Sequence, residues 1–475
     1  MSINIDKINK DKVGFFRFKK LNNFYLLTNE VFYIKLSEKD FQNFLNGTLD
    51  EESDIYKELA LKGFVKDKID VKNLTRLYRT KNNFLLKKGV SLHIIIITKR
   101  CNHLCVYCQA GSPELQQDIY DMKEDVAQKT VDLIFQSPNH YIMIEFQGGE
   151  PLINFKTIKF VIEYAKEKNK QAKKNLNFSL VTNLSLMTDE IYDYLVESKV
   201  NLCTSLDGPE HVHDKNRPFL NPVGSYKIVS GWIEKMRKRE AEGPIKKIGA
   251  LPTLTRYSLE HIEEVIDEYI KHDLRTIHLR QLSFLGNSFG DKKREDFGYN
   301  PEEFIFAWKR GMDYIIEKNK QGIDIRERGV IIMLEKIFKE QGNAFLDLRS
   351  PCGAGTGQLA YFYNGDVYSC DEGRMTGNDL FLLGNVFDNT YEEITECPKE
   401  KALITASTLE NFACDECVYK PYCGTCPVLN YTLYNNLFPN IKMTDRCKLH
   451  TAMLDYIFLK MEDREVLEIF KKWIR

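Results

Sequence analysis

The sequence predicts an α/β protein built on an open, partial (β/α)6 barrel, with a winged-helix-like module before it and a cysteine-rich domain after it. Three observations carry that prediction. Between residues 90 and 282, six apolar runs of strand length alternate with amphipathic helical stretches. The first 85 residues hold short, aromatic, β-rich runs and two helix signals. Ten of the twelve cysteines fall in clusters: Cys101, Cys105 and Cys108; then Cys352 and Cys370; then Cys414, Cys417, Cys423, Cys426 and Cys447. The 475 residues leave room for two to four domains, at roughly 100–200 residues each.

In chain order, the first expected unit covers residues 1–85. Residues 24–27 and 31–36 are candidate strands around Thr28-Asn29-Glu30, a hairpin signal. Ser37 is placed to cap a helix over 38–45, with Phe41, Phe44 and Leu45 on one face. A second helix covers 53–61 and ends at Gly63, and Phe64-Val65 opens a short strand. Residues 66–88 read as a polar linker. Over residues 86–300 the candidate strands are 92–97, 141–146, 176–182, 201–206, 248–254 and 276–282. Helices are expected over 125–136, 155–168, 188–198, 225–239 and 258–272; Phe155, Ile158, Ile162 and Ala165 give the clearest helical spacing. Strand–helix alternation implies a parallel sheet with right-handed crossovers. Six units are too few for a closed eight-fold barrel, and by analogy with closed barrels the chemistry belongs at the C-terminal strand ends. Residues 301–350 are expected to form a helical bridge. Residues 351–475 are rich in loops and short of long periodic segments.

Composition narrows the function. Hydrophobic residues make up 43% and charged residues 28%, which is globular rather than disordered. Sixty-seven basic against 68 acidic residues give a net charge of −1, with no basic block, so nucleic acid is not an expected partner. No apolar run reaches the ~18 residues that cross a bilayer. The first residues carry no signal-peptide core, so a cytoplasmic protein with no membrane partner is expected. In that compartment clustered cysteines are more often metal ligands or catalytic groups than disulfides.

Cys101-Asn-His-Leu-Cys105-Val-Tyr-Cys108 follows the first barrel strand. Three thiolates this close suit an iron–sulfur cubane, whose fourth iron would stay open. A structural zinc would need a fourth protein ligand, for which His103 is the nearby candidate. The Cx3Cx2C spacing, with Tyr107 before the third cysteine, resembles the signature of the radical S-adenosylmethionine enzymes. Gly148-Gly149-Glu150-Pro151 after the second strand, Thr182-Asn183 after the third, and Ser205-Leu206-Asp207-Gly208-Pro209 after the fourth, then His213-Asp214 and Arg217, are similar to segments lining the cofactor site of that superfamily. The resemblance implies a [4Fe-4S] cluster on Cys101, Cys105 and Cys108. S-adenosylmethionine would chelate the open iron and be cleaved reductively, giving a radical that abstracts hydrogen from substrate. Tyr107, Gly148, Gly149, Glu150, Asn183, Ser205 and Arg217 are the expected cofactor-binding residues. The glycines would permit close backbone approach. Glu150 would accept from the cofactor amine, and Arg217, or more weakly Ser205, would meet its carboxylate.

Cys352-x12-Gly365-x4-Cys370, then Cys414-x2-Cys417-x5-Cys423-x2-Cys426, then Cys447, resembles the SPASM domain of many such enzymes. One departure is the two residues before Cys426, where three are usual. The resemblance implies two auxiliary [4Fe-4S] clusters, three clusters in all. Cys352, Cys370 and Cys426 would hold one, and Cys414, Cys417, Cys423 and Cys447 the other. The first lacks a fourth thiolate, for which Cys397 is a candidate. Cys203 reads as a small core residue. Zinc remains the alternative for paired CxxC motifs. Asp371 follows Cys370; in sulfatase-maturing relatives an aspartate there acts as a base, and a catalytic proton acceptor is the corresponding expectation.

SPASM-bearing enzymes mostly modify peptides or proteins. Gly14-Phe15-Phe16-Arg17-Phe18 with Leu26-Leu27-Thr28-Asn29-Glu30 also looks like the maturases of the His-Xaa-Ser repeat peptide system. The implied partners are a ribosomal precursor peptide, gripped by strand addition to the N-terminal module, a reducing electron donor of flavodoxin or ferredoxin type, and a second radical enzyme. The leading expectation is a peptide maturase installing a crosslink or related modification. The alternatives are a sulfatase-type maturase forming formylglycine, and a non-catalytic zinc or iron–sulfur scaffold.

Overall fold

The computed structural model describes residues 8–82, 89–110, 117–219, 224–242, 248–286, 295–340 and 346–475. The chain opens with a three-stranded antiparallel sheet, β1 (Arg17–Leu21), β2 (Phe24–Thr28) and β3 (Tyr33–Ser37), in that spatial order. Helices α1 (Glu38–Asn46), α2 (Asp54–Leu61) and α3 (Val71–Lys81) follow. Ser37 caps α1 by accepting from the Asp40 amide, and Phe41, Phe44 and Leu45 are buried. The run at Phe64-Val65 is reduced to a single antiparallel bridge between Val65 and Val13.

Two elements here differ from the sequence reading. β1 was not anticipated; its RFKKL sequence hides a strand whose Arg17 and Lys19 share one face and meet partners far along the chain. Helix α3 lies inside the expected linker. It buries only Leu77, so its sequence has almost no apolar stripe, but Asp70 caps it by accepting from the Asn73 amide. The linker's last residues, 83–88, lie outside the described residues.

The central sheet has eight strands. β4 (Leu92–Thr98), β5 (Tyr141–Gly148), β6 (Asn175–Val181), β7 (Val200–Ser205) and β8 (Gly249–Leu251) run parallel in sequence order. Their crossovers carry α4 (Glu124–Phe135), α5 (Phe155–Ala172), α6 (Asp189–Glu197), α7 (Glu210–Asn216) and α8 (Tyr226–Glu242). The fold is α/β, as the alternation predicts. The helix expected over 258–272 is broken at His261 into α9 (Arg256–Glu260) and α10 (Ile262–Lys271).

The sixth barrel strand is where the reading and the structure part. Only β9 (Thr276–Ile277) forms, and it pairs with β10 (Arg326–Glu327) in a separate two-stranded sheet. Beyond it, side chains take the amide hydrogens a ladder would have used: Leu279 N donates to Glu327 Oε1 at 2.9 Å and Leu282 N to the Tyr299 hydroxyl at 2.6 Å. The sixth parallel strand of the central sheet is β11 (Gln358–Tyr361), which pairs with β4 on the opposite edge. β12 (Asp366–Tyr368) and β13 (Leu382–Asn385) extend that edge antiparallel. The cysteine-rich region is thus hydrogen-bonded into the barrel sheet.

Helices α11 (Pro301–Lys320) and α12 (Arg328–Phe338) follow the barrel. In the cysteine-rich region α13 (Asp371–Thr376) begins at Cys370, and the chain ends in α14 (Asp445–Lys460) and α15 (Arg464–Trp473). α14 corrects the expectation of a loop-rich C-terminus. It is buried on several sides, at Leu449, His450, Met453, Tyr456, Ile457 and Phe458, so its sequence shows no single stripe. Among the described residues no helix is long and apolar enough to cross a membrane.

Candidate active site

The C-terminal ends of the parallel strands meet at a cavity of about 290 Å³. Cys101, Cys105 and Cys108 line it from the loop after β4. Gly148 and Gly149 line it from the end of β5, Asn183 from beyond β6, Ser205 from the end of β7, and Asp371 from α13. The motifs come together because parallel strands deliver all their C-terminal loops to one edge.

The two glycines serve close packing of chain on chain. Gly148 has φ +153°, and a Cβ there would lie 2.1 Å from the Thr98 carbonyl oxygen. A Cβ at Gly149 would lie 2.2 Å from that of Arg100. Gly149 N donates to Thr98 O at 2.9 Å and Glu150 N to Arg100 O at 2.8 Å, which fixes the root of the cysteine loop. Glu150 was expected to meet the cofactor amine. It is fully buried, does not line the cavity, and its carboxylate accepts from the Thr182 hydroxyl (2.7 Å), Asn183 N (2.7 Å) and Leu152 N (3.0 Å). It ties the end of β5 to the end of β6; burial pushes its pKa up against those three bonds.

Arg217 is buried and lines the cavity. Its Nε donates to Asp207 Oδ2 at 3.1 Å, and its guanidinium lies 5.3 Å from the Tyr107 ring centre. Burial alone would lower its pKa; the charge and hydrogen bond of Asp207, together with Tyr107 and Cys105, outweigh that and raise it. Asp207 was not among the expected site residues. It is fully buried and also accepts from the Tyr107 hydroxyl (2.7 Å) and Thr253 N (2.9 Å). An acidic residue two positions beyond Ser205, with Gly-Pro after it, was the available signal. Asn183 directs its Nδ2 toward Cys101 Sγ, 3.9 Å away, and bonds Asn102 Oδ1 at 3.0 Å. Asp371 Oδ1 accepts from Arg374 Nε at 2.7 Å, which holds its carboxylate at the cavity wall.

Burial pushes the Cys101 thiol up to about 12 and Cys105 to about 11, and a bound metal's positive charge would favour their thiolates. Four ligands on one zinc would stand about 3.8 Å apart at Zn–S bonds of about 2.3 Å. Among the described residues the one set of three donor groups within 4.8 Å is His211, His261 and Glu264, and no thiol set is that tight. His103 stands on the cavity wall with neither ring nitrogen hydrogen-bonded, packed 4.3 Å centroid to centroid on Phe219. A wider, three-thiolate group with room for a ligand beside it fits these residues better than a closed zinc site.

The other thiols of the C-terminal region lie in two neighbourhoods. The charges of Cys352, Cys370 and Cys426 act on one another, and so do those of Cys414, Cys417 and Cys447, with Cys423 coupled to Cys417. The Cys397 sulfur caps a helix by accepting from Glu400 N at 3.4 Å. Cys203 is half-buried in β7.

The model of the radical SAM superfamily matches residues 95–269. An uncharacterised protein of Methanocaldococcus jannaschii is 32% identical over 318 residues, 66% of this chain and 94% of its own. The chain belongs to the radical S-adenosylmethionine superfamily. A cysteine-type anaerobic sulfatase-maturating enzyme of Clostridium perfringens is 26% identical over 345 residues, 71% of this chain and 88% of that protein. The structure of native anSMEcpe with bound AdoMet superposes with a TM-score of 0.69 over 81% of this chain and 99% of that one, at 21% identity. Streptococcus suis SuiB bound to precursor peptide SuiA gives 0.51 over 89% and 95%, at 15% identity. Within the superfamily this chain carries a SPASM-type cysteine-rich C-terminal region.

Proposed function

We propose that this protein is a peptide maturase that removes a hydrogen atom from a residue of a polypeptide substrate, so that the residue can be crosslinked or otherwise modified. Cys101, Cys105 and Cys108 would hold a cluster, which together with S-adenosylmethionine would supply hydrogen-abstracting radical chemistry. The chain's own residues do the rest. Arg217, oriented by Asp207, offers a cation to a carboxylate; Ser205 and the Gly148-Gly149 backbone present polar groups beside it. Asp371 is positioned to take the proton that a substrate radical sheds on oxidation. The reading rests on one observation: three thiols, the Gly-Gly turn, Arg217 and Asp371 share a single cavity large enough for a cofactor end and a side chain.

A polypeptide substrate is supported by the N-terminal sheet, whose β1 and β3 are edge strands, and by the likeness in fold to SuiB with its bound precursor peptide. A small precursor rich in His-Xaa-Ser repeats and a companion radical enzyme belong to the same reading. The second reading is formylglycine formation, favoured by Asp371 at the cavity and by the similarity to sulfatase-maturating enzymes. Co-expression with a small neighbouring-gene peptide, followed by mass spectrometry, tests both. A loss of two hydrogens with no aldehyde trapped by hydroxylamine supports the crosslink. A trapped aldehyde on one Ser or Cys supports the second reading, and an unmodified peptide counts against the first.

A further inference from the structure

The tight donor set noted above lies outside the active cavity, on the surface between α7 and α10. His211 stands on the exposed face of α7, whose other side buries Val212 and His213. His261 stands at the break between α9 and α10, and Glu264 lies in the first turn of α10. His211 Nε2 is 3.6 Å from Glu264 Oε2, and His261 Nδ1 is 2.7 Å from Glu264 Oε1. The two imidazole rings meet edge to face, 4.8 Å between centroids. His261 is the N-cap residue of α10, but its side chain makes no capping hydrogen bond; the ring turns to Glu264 instead.

The charge around this group suits a cation. Glu263, next to Glu264, is paired with Arg310 at 2.8 Å. Among the described residues no lysine or arginine pairs with Glu264, whose charged neighbours are the two histidines. Two imidazoles and a carboxylate are an ordinary donor set for zinc, which takes nitrogen and oxygen at about 2.0–2.1 Å in a tetrahedron, so that its ligand atoms stand about 3.4 Å apart. The pair at 3.6 Å is close to that spacing. The others reach it by rotation of side chains that are exposed or half-buried, and solvent can supply the fourth ligand.

The place of the group in the fold gives it a consequence. α7 leaves the Asp207-Gly208-Pro209 turn and ends at Arg217. α10 packs on that turn from outside: a Cβ at Gly208 would lie 2.8 Å from Val265 Cγ2, one residue beyond Glu264. We propose that His211, His261 and Glu264 form a surface site for one divalent cation of the zinc class, and that the bound ion staples α7 to α10 behind the segment that carries Asp207 and Arg217. The ion takes no part in the radical chemistry, and the site does not depend on which substrate the enzyme modifies.

The test equilibrates the full, reconstituted protein anaerobically with micromolar zinc and compares zinc per chain with that of His211→Ala and Glu264→Ala. Both side chains are exposed, so the variants keep the fold. Wild type should hold one more zinc than either variant at equal iron content. The difference in X-ray absorption at the zinc edge should show nitrogen and oxygen at about 2.0–2.1 Å for that ion, and no sulfur at about 2.3 Å. With zinc, hydrogen exchange over residues 208–217 and 256–271 should slow several-fold in wild type and stay unchanged in His211→Ala. Equal zinc in wild type and either variant, or extra zinc bound by sulfur, would mean an adventitious ion only and would overturn the site. Extra zinc on nitrogen and oxygen that leaves exchange unchanged would overturn the stapling role.

Discussion

Asp207 joins three parts of the cavity wall: the Tyr107 hydroxyl from the cysteine loop, the Arg217 guanidinium from the end of α7, and the Thr253 amide beyond β8. Its substitution by Asn would leave a buried guanidinium without its counter-charge, and losing one partner of a buried pair costs about 3–5 kcal/mol. Urea unfolding of Asp207→Asn should register a loss of that order. Equal stability would mean Arg217 finds another partner. The thiols and Asp371 separate radical generation from its use. Cys101→Ala, Cys105→Ala and Cys108→Ala together should abolish 5′-deoxyadenosine formation while about eight irons remain on the auxiliary thiols. Asp371→Asn should leave cofactor cleavage intact and cut modified product by about 10²-fold or more, the usual share of a general base. Product at the wild-type rate would remove Asp371 from the chemistry. Most of this site was legible in sequence because parallel strands deliver their C-terminal loops to one place. The inward turn of the Glu150 carboxylate was not legible, since nothing in a Gly-Gly-Glu-Pro string tells which way a carboxylate turns.

At the level of elements, legibility followed how much of its environment an element carries in its own residues. β4 reads as a strand because five consecutive positions, His93 to Ile97, are buried. The cap at Ser37 reads because capping is local. β1 and α3 were missed because their partners lie far along the chain. Arg17 Nε donates to the Asp415 carbonyl at 2.6 Å and Nη2 to Glu30 at 2.6 Å, and Lys19 pairs with Asp455 at 2.6 Å. In β2, the Thr28 hydroxyl donates to the Val418 carbonyl at 2.8 Å. The N-terminal sheet is therefore fastened to the loop between Cys417 and Cys423. Arg17 is 4% exposed, so Arg17→Met strands two acceptors and should cost about 2–3 kcal/mol. Hydrogen exchange should then quicken across β1–β3 and spread to residues 415–423. Quickening confined to β1–β3 would show that the two units are not mechanically joined.

Across the whole molecule, the joint between barrel and C-terminal region lies at β4 and β11, and one buried pair marks it. His93 Nδ1 lies 2.9 Å from the Tyr361 hydroxyl across that strand pair. Burial pushes the His93 pKa from the usual 6.5 down to about 3, so the folded protein holds it neutral. No sequence pattern gives this, because β11 is separated from β4 by more than 250 residues. The sign follows from proton counts. Between pH 6.5 and 3 the unfolded chain binds a proton on this imidazole and the folded chain does not, so stability present above pH 6.5 is lost as pH falls. At pH 5 this one group accounts for about 2 kcal/mol. Anaerobic urea unfolding at pH 7.5 and pH 5 should therefore give wild type a loss about 2 kcal/mol larger than that of His93→Phe, which fills the site with nothing to protonate. His93→Phe should also be weaker at pH 7.5 by about 1 kcal/mol, the net worth of the lost hydrogen bond. Matching pH slopes would mean that His93 reaches water or a proton donor in the folded state, and that the joint opens before the domains it connects.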